Sequence, residues 1–179
     1  TSQYADLNKQ LTSLDIYAIY QDQAGLFWLG TSGGGLNRYD PRTQTVTAYR
    51  FKPGDPTSLG SDDVYAIYED RAGVLWLGAK GGGLNRFDRQ TETFTRFEHN
   101  PEDPTSLSNN DVYAMLQDQA GVLWVGTYGG GLNKFEPETE RFTIFRHNPD
   151  NPDSLSNDNI YDIFEDGTGT LWVATANGG

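Results

Sequence analysis

The feature that most narrows what this chain can become is a period. Trp28, Trp76, Trp124 and Trp172 stand 48 residues apart, as do Tyr17, Tyr65, Tyr113 and Tyr161. Glycine runs at 33–35, 81–83 and 129–131 keep the same spacing, and units 63–110 and 111–158 agree at 30 of 48 positions without insertion or deletion. A fixed repeat of this length excludes a single irregular domain and leaves solenoids, propellers and similar arrays, in which each unit buries its apolar face against the next.

Within a unit the pattern is one of short strands and turn residues. DVYAIYED (63–70) is rich in β-branched and aromatic residues, and DRAG places Gly73 where a tight hairpin needs positive φ. VLWLGA (74–79), GLNRFD (83–88) and FTRFEH (94–99) read as the second, third and fourth strands, and a proline-containing connector, 100–110, leads to the next unit. No segment holds a helical period over ten residues. Four antiparallel strands per unit, each unit carrying a Trp, predict an all-β fold: a β-propeller with a 48-residue repeat. The units are 15–62 (blade 1), 63–110 (blade 2), 111–158 (blade 3) and 159–179 (first half of blade 4), so the chain holds about 3.5 to 4 blades. Blades cover one another, so VYAIY and VLWLG are expected to be buried on both faces, whereas FTRFEH alternates Phe94 and Phe97 with Thr95 and Arg96. The tryptophans are expected to pack between blades.

The half-unit DVYAIYEDRAGVLWLGAKGGGLNRFD resembles the two-component regulator propeller repeat, through Asp70, Gly73, Leu75, Trp76, Gly78, Gly82, Gly83, Leu84, Asn85 and Arg86 and their counterparts in the other units. The resemblance implies the extracytoplasmic sensor part of a hybrid histidine kinase or related regulator, periplasmic or extracellular, non-catalytic and associated with carbohydrate sensing. The sequence carries no kinase or DNA-binding segment.

Lys and Arg number 13 against 25 Asp and Glu, and the net charge of -12 disfavours nucleic acid and anionic membrane as partners. There is no cysteine, hence no disulfide or thiolate metal site. The longest apolar runs, such as LFWL, are too short to span a membrane, and nothing at the N-terminus reads as a signal peptide, so the chain reads as a mature or excised soluble segment.

The glycine run after Lys80 resembles a phosphate loop, but Leu84 and Asn85 open a strand rather than a helix, and no cofactor is expected. His99 and His147 are repeat equivalents on separate blades and read as connector residues, not metal ligands. Asp103, Asn109, Asn110 and Asp111 lack the alternation of a calcium loop and read as turn and cap residues. No triad for nucleophilic catalysis is apparent. Positions 31–32, 79–80, 127–128 and 175–176 read TS, AK, TY and TA inside otherwise constant surroundings, on the rim that the second-to-third-strand turn shares with the connector. Ser32, Lys80 and Tyr128 are therefore the candidate ligand-binding residues. A carbohydrate or other small ligand is the expected partner; a structural interaction module and a polysaccharide-acting enzyme are the competing readings.

Three and a half blades do not close a ring. Thr12, Ser13 and Leu14 match Thr57, Ser58 and Leu59, which places residues 1–6 over an outer strand and makes 1–14 a candidate fourth strand of a split blade. Two copies are expected to associate to complete the ring. Asp162 stands where Ala18, Ala66 and Ala114 stand, and marks a less covered face or a partner group.

Overall fold

The computed structural model describes residues 7–177. Among the described residues, fourteen strands form three four-stranded sheets and one two-stranded sheet, all antiparallel with neighbours in chain order. The first blade is β1 (Ile16–Gln21), β2 (Phe27–Thr31), β3 (Gly35–Asp40) and β4 (Thr45–Tyr49). The second is β5 (Val64–Glu69), β6 (Leu75–Ala79), β7 (Gly83–Asp88) and β8 (Thr93–Phe97). The third is β9 (Val112–Gln117), β10 (Leu123–Thr127), β11 (Gly131–Glu136) and β12 (Arg141–Phe145), and β13 (Ile160–Glu165) with β14 (Leu171–Thr175) is the half blade. The first strands lie side by side, β1 against β5, β5 against β9, β9 against β13, as they do around a propeller axis. The expected propeller repeat is the fold.

Burial follows the strand's distance from that axis. The second strand is the one covered on both faces, β6 being buried at all five positions. The first strand is not, contrary to the sequence reading: in β5 only Val64 is fully buried, because one side faces the open axis. In β8 Phe94 and Phe97 are buried and Thr95 is exposed, the alternation expected of an outer strand.

Blades seat on one another through a repeated steric fit. The valine that opens β5 lies on Gly30, where an added Cβ would come 2.8 Å from Val64 Cγ1 and 2.7 Å from its carbonyl oxygen. Val112 sits on Gly78 in the same way, at 2.7 Å from Cγ1, and Ile160 sits on Gly126. Trp28 fills the space behind the first of these contacts, with its ring 5.3 Å from Phe87 of the next blade, and Trp76 does the same 5.4 Å from Phe135. The tryptophans are inter-blade packing, and their exposure shows it: 0% at Trp28 and 5% at Trp76, between full blades, but 61% at Trp172, which has no blade beyond it.

The glycine run turns the chain against its neighbours. Gly83 takes φ +66 and lies so close to the Phe97 carbonyl that no side chain fits, and a Cβ on Gly82 would fall 2.6 Å from the backbone of the connector at Gly60 and Ser61. Asn85, fully buried, fastens the same place by accepting from Gly60 N at 2.9 Å. Asn133 accepts from Ser108 N and Asn37 from Thr12 N. These bonds make Thr12 the counterpart of Gly60 and Ser108. The match of Thr12, Ser13 and Leu14 to Thr57, Ser58 and Leu59 is thus out of register by three, and Leu11 is the true counterpart of Leu59. Residues 7–10 form a helical turn, and Gln10 reaches the edge of β4 by accepting from Val46 N and donating to Gln44 O. The outer strand expected at 1–6 lies outside the described residues.

Candidate functional site

The rim begins with a bulge. Tyr17, Tyr65, Tyr113 and Tyr161 each sit at the register shift near the start of the first strand, so each is displaced from the pairing that its neighbours keep. Their rings form a row across the four blades: Tyr17 to Tyr65 at 4.5 Å, Tyr65 to Tyr113 at 5.0 Å and Tyr113 to Tyr161 at 6.1 Å between centroids. Burial, together with the neighbouring tyrosines and Asp63, pushes the Tyr65 hydroxyl up to about 12, and burial raises Tyr113 as well, so both stay neutral donors in the ordinary pH range.

The second-to-third-strand turn meets this row. Ser32 N, Lys80 N and Tyr128 N donate to the carbonyls of Asp15, Asp63 and Asp111, which precede the first strands, at 2.9 Å each. The carboxylate of Asp63 accepts from Gly33 N and Ser32 Oγ of the preceding blade, and that of Asp111 from Gly81 N. Turn and connector therefore share one rim, as the sequence implied. Thr31, Ala79 and Thr127, at the first of the paired variable positions, are fully buried and belong to the scaffold; Thr31 and Thr127 donate to the carbonyls of Gly35 and Gly131.

The three candidates differ in how free they are. Ser32 is engaged by Asp63. Lys80 is exposed and its Nζ makes no bond among the described residues. Tyr128, 42% exposed, stands against the tyrosine row, 5.8 Å from Tyr113 and 6.2 Å from Tyr161, and widens it into an aromatic surface at blade 3. No hydrogen bond or ring contact joins Ser32, Lys80 and Tyr128 to one another. The tyrosine row was missed from sequence. Its signal was the Tyr period itself, which a strand reading absorbs into alternation.

The opposite end of the strands is structural. Asp22, Asp70, Asp118 and Asp166 each accept from the indole Nε1 of the tryptophan six residues on, at 2.8, 2.9, 2.8 and 2.8 Å, and from backbone N–H groups of their own turn. Burial works to raise Asp22 and Asp118, but these hydrogen bonds outweigh it and hold both below the usual carboxylate range. Between blades 1 and 2, Arg89 bridges Asp22 at 2.8 Å and Glu69 at 2.9 Å, whose side chains are 1% and 5% exposed, and lies over the Trp28 ring. A concavity of about 500 Å³ opens nearby, lined by Arg86, Asp88, Arg89 and Gln90. Both arginines there are already paired, Arg86 with Glu140. The connector residues are engaged as well: His99 and His147 place Nδ1 against the carbonyls of Leu107 and Leu155, and Asp103 caps Thr105. Asn109 and Asn110 accept from Asp111 N and His99 N.

No curated protein matches the chain significantly. Among solved structures it is similar to the extracellular domain of BT3049 from B. thetaiotaomicron, designated a hybrid two component system, at 28% identity and a TM-score of 0.82 over 96% of this chain and 23% of that one. The extracellular domain of BT4673 from the same organism, also designated a hybrid two component system, aligns at 27% identity and a TM-score of 0.77, over 95% of this chain and 24% of that one. The chain spans about a quarter of the length of these structures. Virginiamycin B lyase from Staphylococcus aureus, at 17% identity, a TM-score of 0.61 and coverage of 88% of this chain and 48% of that one, shares the fold. The model of the two component regulator propeller matches residues 10–33, 58–81, 106–129 and 154–177. Each matched segment runs from the connector through the bulged tyrosine, the Asp–Trp turn and the second strand, and together they cover more than half of the chain, which belongs to the two-component regulator propeller family.

Proposed function

We propose that this chain is a non-catalytic ligand-binding module of an extracytoplasmic sensor, periplasmic or extracellular, and that it takes a neutral carbohydrate on the rim at blades 3 and 4. The observation that carries the reading is Tyr128. It stands where the sister blades have Ser32, Lys80 and Ala176, and it joins Tyr113 and Tyr161 in a half-exposed aromatic surface. Aromatic faces suit the C–H faces of sugar rings, and the phenol hydroxyls and the free Lys80 ammonium offer donors at the edge. A net charge of -12 disfavours anionic ligands. Similarity to extracellular domains of two-component systems supports the location and the sensor role. The rim carboxylates Asp63 and Asp111 already hold turn N–H groups, which favours binding over acid–base chemistry.

An array of neutral oligosaccharides, followed by calorimetry on the best binder, tests the rim. Tyr128→Ala is expected to weaken binding at least about tenfold, Lys80→Ala and Ser32→Ala less, with thermal stability unchanged. Binding indifferent to all three variants would remove the rim; turnover of the glycan would support the enzyme reading, and no glycan bound at all the structural one.

A further inference from the structure

The connectors between blades 1 and 2 and between blades 2 and 3 are built alike and filled differently. In the first, the Asp55 carboxylate accepts from Thr57 N and Oγ1, Ser58 Oγ donates to the Asp55 carbonyl, and Phe94 N of β8 donates to the Thr57 carbonyl. In the second, Asp103, Thr105, Ser106 and Phe142 of β12 make the same four bonds. Into the first connector β8 sends Arg96. Its Nε donates to the Ser58 carbonyl at 2.8 Å, and its Nη2 donates to Ser58 Oγ at 2.8 Å and to the Asp55 carbonyl. The guanidinium carbon stands 5.7 Å from the centre of the Phe51 ring. At this position β12 carries Ile144, which pairs with Asn133 as Arg96 pairs with Asn85 and has no donor to give. The Ser106 carbonyl meets no donor among the described residues, and Ser106 is half-buried where Ser58 is buried. A concavity of about 360 Å³ opens between His99, Asp103, Pro104, Ser106, Ile144 and Arg146. These residues belong to blades 2 and 3, both four-stranded, and to the connector that joins them.

We propose that the connector between blades 2 and 3 binds the guanidinium group of an arginine ligand, in the place where the preceding connector holds Arg96 of the chain itself. The connector carbonyls suit a planar fork of N–H donors, and the His99 imidazole, fixed by Nδ1 against the Leu107 carbonyl, stands where Phe51 gives Arg96 a π face. Arg146 selects further. Its counterpart beside Arg96 is Glu98, and Arg146 makes no hydrogen bond or ion pair among the described residues. A bare cation is repelled by it, whereas a carboxylate a few bonds from the guanidinium pairs with it. The ligand class is therefore arginine with a free carboxylate, as the amino acid or as the C-terminus of a peptide. Its two charges cancel, so the net charge of -12 does not oppose it. No residue of this site is in the tyrosine row.

Titration with Nα-acetyl-L-arginine, followed by NMR of the backbone amides and histidine rings, tests this. Saturable shifts are expected at Ser106, Leu107 and the His99 ring, with a Kd on the order of millimolar. Nα-acetyl-L-citrulline lacks the cation and L-argininamide lacks the carboxylate; each is expected to bind at least about tenfold more weakly. L-Arginine separates the two sources: equal binding points to the free amino acid, weaker binding to a peptide C-terminus, and both support the site. Ile144→Arg supplies the guanidinium from within, as Arg96 does, and is expected to abolish binding and raise Tm by about 2–4 °C. Arg146→Ala is expected to weaken Nα-acetyl-L-arginine about tenfold and to leave L-argininamide no weaker than before. The absence of saturable shifts overturns the proposal, as does citrulline bound as well as arginine, or an Ile144→Arg chain that still binds. Tighter binding by Arg146→Ala also overturns it, because Arg146 then fills the place itself. The probe series on the unaltered chain decides the matter even where a variant fails to fold.

Discussion

Trp28→Ala is expected to cost about 3–5 kcal/mol of stability, whereas Trp172→Ala costs about 1 kcal/mol or less. The four tryptophans have the same local setting, an indole N–H on an aspartate six residues earlier, so local structure cannot separate them. What differs is the cover supplied by the next blade. Trp28 is fully buried, packed on Phe87 and Tyr49 with the guanidinium groups of Arg38 and Arg89 5.7 and 5.4 Å from its ring. Trp76 has the equivalent partner in Phe135, while among the described residues the one ring that Trp124 meets is Phe145 of its own blade. Urea unfolding of the four Ala variants should therefore rank Trp28 and Trp76 well above Trp124, with Trp172 last. Equal costs in all four would mean that the tryptophan stabilises its own hairpin rather than the junction.

Arg89→Ala is expected to lose about 2–4 kcal/mol at neutral pH, less than a fully buried pair because the guanidinium is a third exposed. The loss arises from what remains: two carboxylates, Asp22 and Glu69, almost without solvent and without their shared cation. Blades 1 and 3 have Pro41 and Pro137 at this position, so the clasp is particular to the first junction. Its pH dependence has a definite sign. Asp22 is held below its unfolded pKa of about 3.9, so its contribution is present above that value and lost as pH falls through the folded one. Protonation also removes the uncompensated charge in the variant. The difference between wild type and Arg89→Ala, measured by thermal melts from pH 7 to pH 3, should narrow below about pH 4. A difference constant across that range would show that Arg89 acts through packing on Trp28 alone.

The propeller was legible because the repeat contains no insertion between its central units: a period of 48 survives any uncertainty about individual strands. The third strand, 83–88, coincides with β7, since Gly83 and Asp88 bound it chemically, by a left-handed turn and by a carboxylate accepting from Gln90 N. The outer strand was placed one residue late at its start because Thr93 is polar and still pairs with Asp88. Local identity misled at Thr12, Ser13 and Leu14, where three matching letters outweighed the spacing that the buried asparagines enforce. Of the rim, the shared position of turn and connector was readable from topology. The tyrosine row was not, because a bulge leaves no trace in a pattern of alternation. Arg89 was out of reach for another reason: its bond to Asp22 spans 67 residues, and neither residue is unusual where it stands.

The proposed function requires recognition on the tyrosine rim and not in the basal concavity beside Arg86 and Arg89. Fluorotyrosine labelling with ¹⁹F NMR reads it residue by residue, because Tyr113, Tyr128 and Tyr161 lie on the rim while Tyr20 and Tyr49 are bonded to Glu69 and Glu92 elsewhere. Titration with the best oligosaccharide from the array is expected to shift the resonances of the first three and leave the last two in place. Shifts at Tyr20 or Tyr49 with the rim resonances unmoved would place recognition away from the rim.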